Sequence, residues 1–511
     1  MEQYKKMKKE KQSERLSRFK SQISIFIRND SFQILFILML LSFIYHLAIL
    51  FSSPFAFGSD GYYYVYQIQS FTTKGKFSPP DSSLTLYFLS FFGFILSNPL
   101  TALKIGTAFL ISLMPLPVYL SARKFYPRSL AFAASFLIVF NPLSHYFVFE
   151  YVKNLGGIVF FLFLLAHSLQ NKESLMKPKN LILLFFLLSA AFLTHKLSAL
   201  FGGILFAGLL LHCFGKKPIF WILSIPLSIL LIYFAGKIFP NTLYFSDFIR
   251  LKDFFTSSFY FNTALIFQFV PSHFLIQSVL ILILFSFLFY FFLRKSLSSS
   301  PPFYFFGLLL FILFLFHFPF VNQQKDELLY RIFLLSFIPA AFFLPILFFK
   351  LKKILLYPFL LLFFASHWIS VSWSLNHPKH DYLLYSQIIP LIKLPDNSLL
   401  IAHQGFDYYY WVATGKKSFH FLPEKKHQNR PLYRLAYAVN PSLIQKQIGK
   451  IDLKLFPGFY ILLKEEDWQR FLLSLPENEK KKYQNWKNPY QKRKEFMLDN
   501  QKFRNYIKSK N

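Results

Sequence analysis

The chain has 511 residues, of which 54 % are apolar and only 16 % charged, and Phe alone occurs 72 times. That much apolar surface exceeds what a soluble core can hide, so the composition specifies a polytopic membrane protein. The net charge of +32 would suggest nucleic acid in a soluble protein. Here the basic residues gather at the two ends and in short loops between apolar spans, where anionic membrane lipids, not nucleic acid, are the partner.

Residues 1–30 read as a basic cytoplasmic segment, too long and too charged for a cleavable signal peptide. The first span follows at 31–51. The apolar stretch from Leu84 to Ser97 holds about 14 residues, short of the ~20 needed to cross. Laying it in the interface puts the basic loops at Arg123–Arg128, Lys172–Lys179, Lys216-Lys217, Arg294-Lys295 and Lys350–Lys353 all on the cytoplasmic side. The outcome is about eleven transmembrane helices. They cover 31–51, 100–122, 129–146, 155–170, 180–195, 197–214, 218–236, 272–293, 303–321, 332–349 and 354–373. The N-terminus is then inside, the first outer loop is 52–99, and everything after the last span is outside. The lone Cys213 lies in a span, so there is no intramolecular disulfide and no CxxC metal site.

After residue 376 the pattern changes to that of a small extracytoplasmic α/β domain, 377–476, with a basic tail at 477–511. Asp381–Ile392 has helical spacing and Ser398–Ala402 reads as a strand. Gly405–Thr414 reads as a helix stopped by Gly415, and Phe459–Leu463 as a strand before a helix over Glu465–Leu475.

In this topology the polar residues collect on one side. Asp60 stands in Gly58-Ser59-Asp60-Gly61-Tyr62-Tyr63-Tyr64, with Tyr63 beside it. Glu150, Lys153 and Asn154 mark the second outer loop, His195 and Lys196 a later turn, and Tyr330 and Arg331 the opening of a late span. Fixed cations hold a lipid phosphate or pyrophosphate, with Arg as a bidentate fork. A carboxylate deprotonates an acceptor hydroxyl or ligates a divalent cation. Each residue also has a plainer explanation. Asp60 can cap a helix, the tyrosines can form an interfacial belt, Glu150 and Lys153 can pair at i,i+3, and Lys196 can snorkel. Asp326 and Glu327 suit a solvated loop face.

These motifs resemble the GT-C fold of membrane glycosyltransferases, most closely the oligosaccharyltransferase catalytic subunits and more distantly the protein O-mannosyltransferases and aminoarabinose transferases. The resemblance covers roughly residues 31–373. It implies a polyprenyl-phosphate-linked sugar donor, Asp60 as the catalytic acidic residue acting as base or metal ligand, Glu150 as its partner and Arg331 at the carrier phosphate. It also implies Asp60 and Glu150 as candidate ligands of a divalent metal, Mg or Mn. The second loop carries a single acid where relatives carry a pair. In place of the sequon-reading Trp-Trp-Asp-Tyr-Gly motif stands Gly405-Phe406-Asp407-Tyr408-Tyr409-Tyr410-Trp411.

The expected function is therefore inverting sugar transfer to a protein, glycan or lipid acceptor at the outer face of the plasma membrane. The alternatives are a transporter or flippase of lipid-linked sugars and an envelope-polymer ligase. Transport would place charges near the bilayer midplane. His317 is the clear ionisable residue expected within the spans.

Overall fold

The computed structural model describes residues 30–171, 174–175, 177–195, 198, 201–203, 205–206, 233–234, 334–335, 337–348, 353–420, 422 and 430–484. Lys196, His317, Asp326, Glu327, Tyr330, Arg331, Cys213 and most of the expected spans between 204 and 332 lie outside these residues, as do the first 29 residues and the tail beyond 484.

The membrane part begins with α1 (Asp30–Phe51), apolar from Phe32 to its end. The first loop carries α2 (Gly61–Lys74) and α3 (Leu84–Leu96). Then come α4 (Pro99–Leu113), α5 (Pro115–Ala122), α6 (Arg128–Val139), α7 (Ser144–Phe149), α8 (Val152–Gln170) and α9 (Pro178–Thr194). After the undescribed stretch follow α10 (Phe337–Phe343) and α11 (Leu356–Asn376). Among the described residues, four helices are long and apolar enough to cross a bilayer: Phe32–Phe51, Pro99–Ala122, Val152–Gln170 and Leu356–Asn376. The chain is thus a helical membrane protein, and the count of about eleven spans is not reached within the described residues.

Helix α3 has 13 residues and so a length of about 20 Å, short of the ~30 Å hydrocarbon layer. The expected span 129–146 is broken: α6 stops at Val139 and the chain restarts as α7 at Ser144. Pro142 is the reason, because it cannot donate to the helix and biases Asn141 away from helical angles.

The spans hold more ionisable side chains than His317. Lys104, in the Pro99–Ala122 helix, is buried and donates to the Ser53 carbonyl at 2.5 Å, tying down the chain where it leaves α1. His46 of α1 and His367 of α11 are buried with ring centroids 6.0 Å apart, and His145 of α7 lies 6.0 Å from His367. Each ring donates Nδ1–H to a backbone carbonyl: His46 to Ser42 (2.8 Å), His367 to Asn141 (2.9 Å) and His145 to Pro142 (2.6 Å). The last two carbonyls belong to the α6–α7 break, where the Asn141 carbonyl also accepts from the Ser144 N–H at 3.0 Å and the Ser144 hydroxyl at 2.7 Å. The bonds of His367 to Asn141 and of His145 Nε2 with the Ser374 hydroxyl (2.9 Å) tie α11 to the α6–α7 break, while His46 bonds within α1 and meets His367 ring to ring. These contacts are a sufficient structural reason for polar groups in a span.

The C-terminal part is a mixed five-stranded sheet of order β2-β1-β3-β5-β4. Its elements are α12 (Tyr382–Ile388), β1 (Leu399–Ile401), α13 (Phe406–Thr414), β2 (Ser418–Phe419), β3 (Leu432–Tyr437), α14 (Pro441–Ile448), β4 (Lys454–Phe456), β5 (Tyr460–Lys464), α15 (Glu465–Ser474) and α16 (Glu477–Gln484). Strand β1 runs parallel to β2 and β3, while β5 is antiparallel to β3 and β4. Asp381 caps α12 by accepting the Leu384 N–H at 3.1 Å. On one face Ile444, Ile461, Trp468 and Phe471 form a small core. On the other, Tyr385, Leu400, Phe406 and Tyr460 share a single core with Tyr62, Tyr64, Ile68, Leu86 and Leu89 of the first loop. First loop and sheet domain are thus one packed unit.

Burial, and next the charge of Lys379, push the His380 imidazole down to about 3. The folded chain keeps His380 neutral where the unfolded chain takes a proton near the ordinary pKa of about 6.5. Stability is therefore lost as pH falls from about 6.5 toward the folded value. The expected loss is about 2 kcal/mol between neutral pH and pH ~5. Thermal unfolding of the full chain in detergent should show it, and His380→Leu should flatten the dependence. An equal slope in the variant would assign it to other groups.

Candidate functional site

The site begins with a clamp between the first and second loops. Gly58 adopts φ +75°, and a Cβ there would lie 2.2 Å from the Phe149 carbonyl oxygen. Only glycine permits both the left-handed angle and that approach. Next to it, the Ser59 N–H donates to Glu150 Oε2 at 3.0 Å. The same oxygen accepts from Lys379 Nζ at 3.1 Å, and the Tyr382 hydroxyl donates to the Gly58 carbonyl at 3.1 Å. The clamp thus joins the first loop, the second loop and the start of the sheet domain.

Asp60 follows directly. It sits at the head of α2 but makes no side-chain capping bond, so capping does not explain it. Its Oδ1 accepts from Gln404 Nε2 of the sheet domain at 2.9 Å. The tyrosines after it are no interfacial belt. Tyr62 packs against Tyr409 (centroids 4.4 Å) and Tyr382 (4.7 Å), and Tyr63 meets Tyr408 edge-on at 5.1 Å. Tyr66 lies 3.9 Å from Trp411. The aromatic run docks α2 against α13.

A second cluster centres on Asp81, which sequence reasoning missed. Its Oδ2 accepts from the Tyr63 hydroxyl at 2.5 Å and from Lys153 Nζ at 2.6 Å, and its Oδ1 takes the Ser83 N–H at 2.9 Å. Lys153 also lies 5.3 Å from the Tyr63 ring centroid. Burial, then the Asp81 charge and hydrogen bond, hold the Tyr63 phenol well above its ordinary range. The plainer i,i+3 pairing of Glu150 with Lys153 is not made: Glu150 bonds Lys379 and Lys153 bonds Asp81. Nearby, Ser83 Oγ donates to the Thr194 carbonyl at 2.9 Å, and the His195 carbonyl accepts from Ser198 at 2.6 Å. That brings the His195 turn against the first loop. Asn154 is buried, and its Nδ2 has no hydrogen-bond acceptor among the described residues.

The two clusters meet at Tyr408. Burial first, then the charges of Asp407, Asp60 and, more weakly, Asp81, keep its phenol protonated well above neutrality. Asp60, Glu150, Tyr63 and Lys153 thus belong to one continuous region, with Gln404, Tyr408, Asp81 and Lys379 as residues that sequence reasoning did not select. A cavity of about 430 Å³ opens on the Glu150 side, walled by Gly58, Glu150, Trp373, His377, Lys379 and Tyr382; Asp60 is not part of its wall. Among the described residues no three His, Cys, Asp or Glu side chains form a metal-holding group. The Lys379 ammonium on Glu150 also opposes a second cation there.

Because Asp81 has a side-chain exposure of only 7 % and holds two donors from different elements, Asp81→Ala is expected to cost about 2 kcal/mol. Lys153→Arg, which keeps the charge pair, should be near neutral. Equal Tm values for Asp81→Ala and the parent would show that the cluster does not tie the first loop to α8.

No family model matches the chain, and no curated protein matches it. Solved structures do. The Archaeoglobus fulgidus oligosaccharyltransferase in its apo form aligns with TM-score 0.53 and 12 % identity, covering 83 % of this chain and 71 % of that one. The same enzyme tethered to an acceptor peptide containing the NVT sequon aligns with TM-score 0.51 and 12 % identity, covering 77 % and 64 %. Its complex with an inhibitory peptide and a dolichol-phosphate gives TM-score 0.50 at 12 % identity, with the same 77 % and 64 %. This chain therefore spans about two thirds of the length of the structures it matches. At 12 % identity the likeness speaks for the fold, and it agrees with the architecture above: apolar helices, an inserted first loop and a C-terminal sheet domain packed on that loop. The chain has the GT-C-like fold of the oligosaccharyltransferases.

Proposed function

We propose that this protein transfers a sugar from a polyprenyl-phosphate or pyrophosphate carrier to an acceptor at the extracytoplasmic face of the membrane, with inversion at the anomeric carbon. The observation that carries this reading is the placement of Asp60, a partly exposed carboxylate at the seam of the first loop, the Glu150 clamp and the sheet domain. Asp60 accepts the acceptor proton, or orients the acceptor group, as the new bond forms and the carrier phosphate departs with the bonding electrons. Glu150 acts through the Ser59 N–H and Lys379, holding Asp60's loop in place. It is a positioning residue in this reading. Arg331, outside the described residues, is the proposed phosphate contact.

The solved neighbours that hold a sequon peptide and a dolichol-phosphate support a lipid-linked donor and a peptide among the acceptors. The described side chains supply no metal-binding set, so the steps above use protein groups alone. The test is Asp60→Asn in the producing cell, reading membrane abundance together with glycosylated proteins, glycans and lipids. Loss of one class of glycosylated product at normal abundance is expected.

A further inference from the structure

We propose that Gln404 is the positioning residue for Asp60, so that the sheet domain orients the carboxylate that the first loop supplies. The proposal rests on Asp60 as the reacting acid. Its physical basis is the turn between β1 and α13. Along Ala402–Asp407 every residue is buried except Gln404, which is exposed. The backbone around that one side chain is fixed from several directions. His403 Nδ1 donates to the Gln404 carbonyl at 2.8 Å, and His403 Nε2 bonds the Tyr460 hydroxyl at 2.9 Å. The His403 ring stacks on His380 with centroids 5.9 Å apart and planes 3° from parallel. Gly405 adopts φ +89°, where a Cβ would lie 2.6 Å from the His380 ring, and its N–H donates to Asp407 Oδ1 at 3.0 Å. A conformation held at so many points persists because its surroundings over-determine it. What it presents is one carboxamide, 2.9 Å from Asp60 Oδ1.

Docking alone does not call for this contact. The shared core and the Tyr62–Tyr409 and Tyr66–Trp411 ring pairs already join first loop and sheet domain. The amide does something those rings do not. It gives an N–H to the carboxylate, which fixes its rotamer and favours the charged form without neutralising it as a lysine would. A carboxylate offers about four lone-pair sites, so this bond helps to orient it without by itself filling them. A conformational change in the sheet domain would thereby reach Asp60 directly.

The experiment reads Asp60 itself. The full chain in detergent is treated with dicyclohexylcarbodiimide, which modifies protonated carboxyls, over a pH series, and labelling of the Asp60 peptide is followed by mass spectrometry. Gln404→Leu removes the donor and should raise the labelling midpoint by about one pH unit; Gln404→Glu, nearly isosteric, sets acid against acid and should raise it by about two. Limited proteolysis of the 377–398 segment, whose helix α12 packs into the core shared with the first loop, reports whether the domain stays docked. Upward shifts with unchanged proteolysis support the proposal. An unchanged midpoint in Gln404→Glu overturns it, and so does a shift found only where that segment becomes cleavable, which would assign Gln404 to docking. Labelling does not depend on turnover, so this result stands or falls separately from the Asp60→Asn test of the catalytic reading.

Discussion

Asp60→Asn is expected to lower sugar transfer about a thousandfold while leaving the protein at normal abundance in the membrane. Asn has the size of Asp and keeps an Oδ1 able to accept from Gln404, so the seam between loop and domain survives. What it loses is the ability to take a proton or carry charge, a contribution worth roughly 10²–10⁴ in rate. Asp60→Glu keeps the charge but advances it by one methylene. A displacement of about 1 Å in a reacting group costs on the order of a hundredfold, so this variant should fall between the parent and Asn. Replacing the chromosomal copy and profiling glycosylated proteins, glycans and lipids gives the readout. Unchanged profiles at unchanged abundance would remove Asp60 from the reaction.

The second large effect is expected at Gly58→Ala. The new methyl would sit 2.2 Å from the Phe149 carbonyl oxygen and 3.0 Å from Glu150 Cα, both backbone atoms with no flexible end to yield. The loops must separate by on the order of 1 Å, which breaks the Ser59–Glu150 hydrogen bond and shifts Asp60 with it. We expect transfer to fall about a hundredfold. The left-handed backbone angle adds about 1–2 kcal/mol of strain. Gly75→Ala is the matched control. Gly75 has φ +66° but nothing within 4 Å of its Cβ position, so it carries the strain without the collision. Activity and Tm that change equally in the two variants would show that the approach of the loops has no role.

Where sequence reasoning went astray, the causes are particular. The plainer reading of Glu150 and Lys153 as an i,i+3 pair assumes a continuous helix, but α7 ends at Phe149 and α8 begins at Val152. The break turns the two side chains toward different partners. Strand β3, Leu432–Tyr437, was not recognised because Arg434 interrupts its apolar run. The structure buries Arg434 by bidentate bonds to Glu465, with Nη2 to Oε1 at 2.7 Å, a pairing that local patterning cannot reveal. Asp81 follows two prolines in a loop and carries no periodic signal; its importance lies in Tyr63 and Lys153 reaching it. The case against the transport alternative rests on an apparent scarcity of ionisable residues within the spans. Lys104, His46 and His367 correct that scarcity, but they bond to helix-end and neighbouring backbone carbonyls and so serve packing.

By itself the sequence determined the membrane class, the positions of the apolar helices at 31–51, 155–170 and 354–373, the helix ending at Gly415 and the choice of Asp60 as the acid to test. These follow from hydropathy, helix-stop chemistry and position beside a span, all local properties. The tertiary structure decided what surrounds Asp60. Gln404 is 344 residues away along the chain, Lys379 lies 229 from Glu150, and Asp81 lies 72 from Lys153. Such contacts arise only when the first loop and the sheet domain bury their tyrosines against each other, and burial between distant segments leaves no periodic trace in either one.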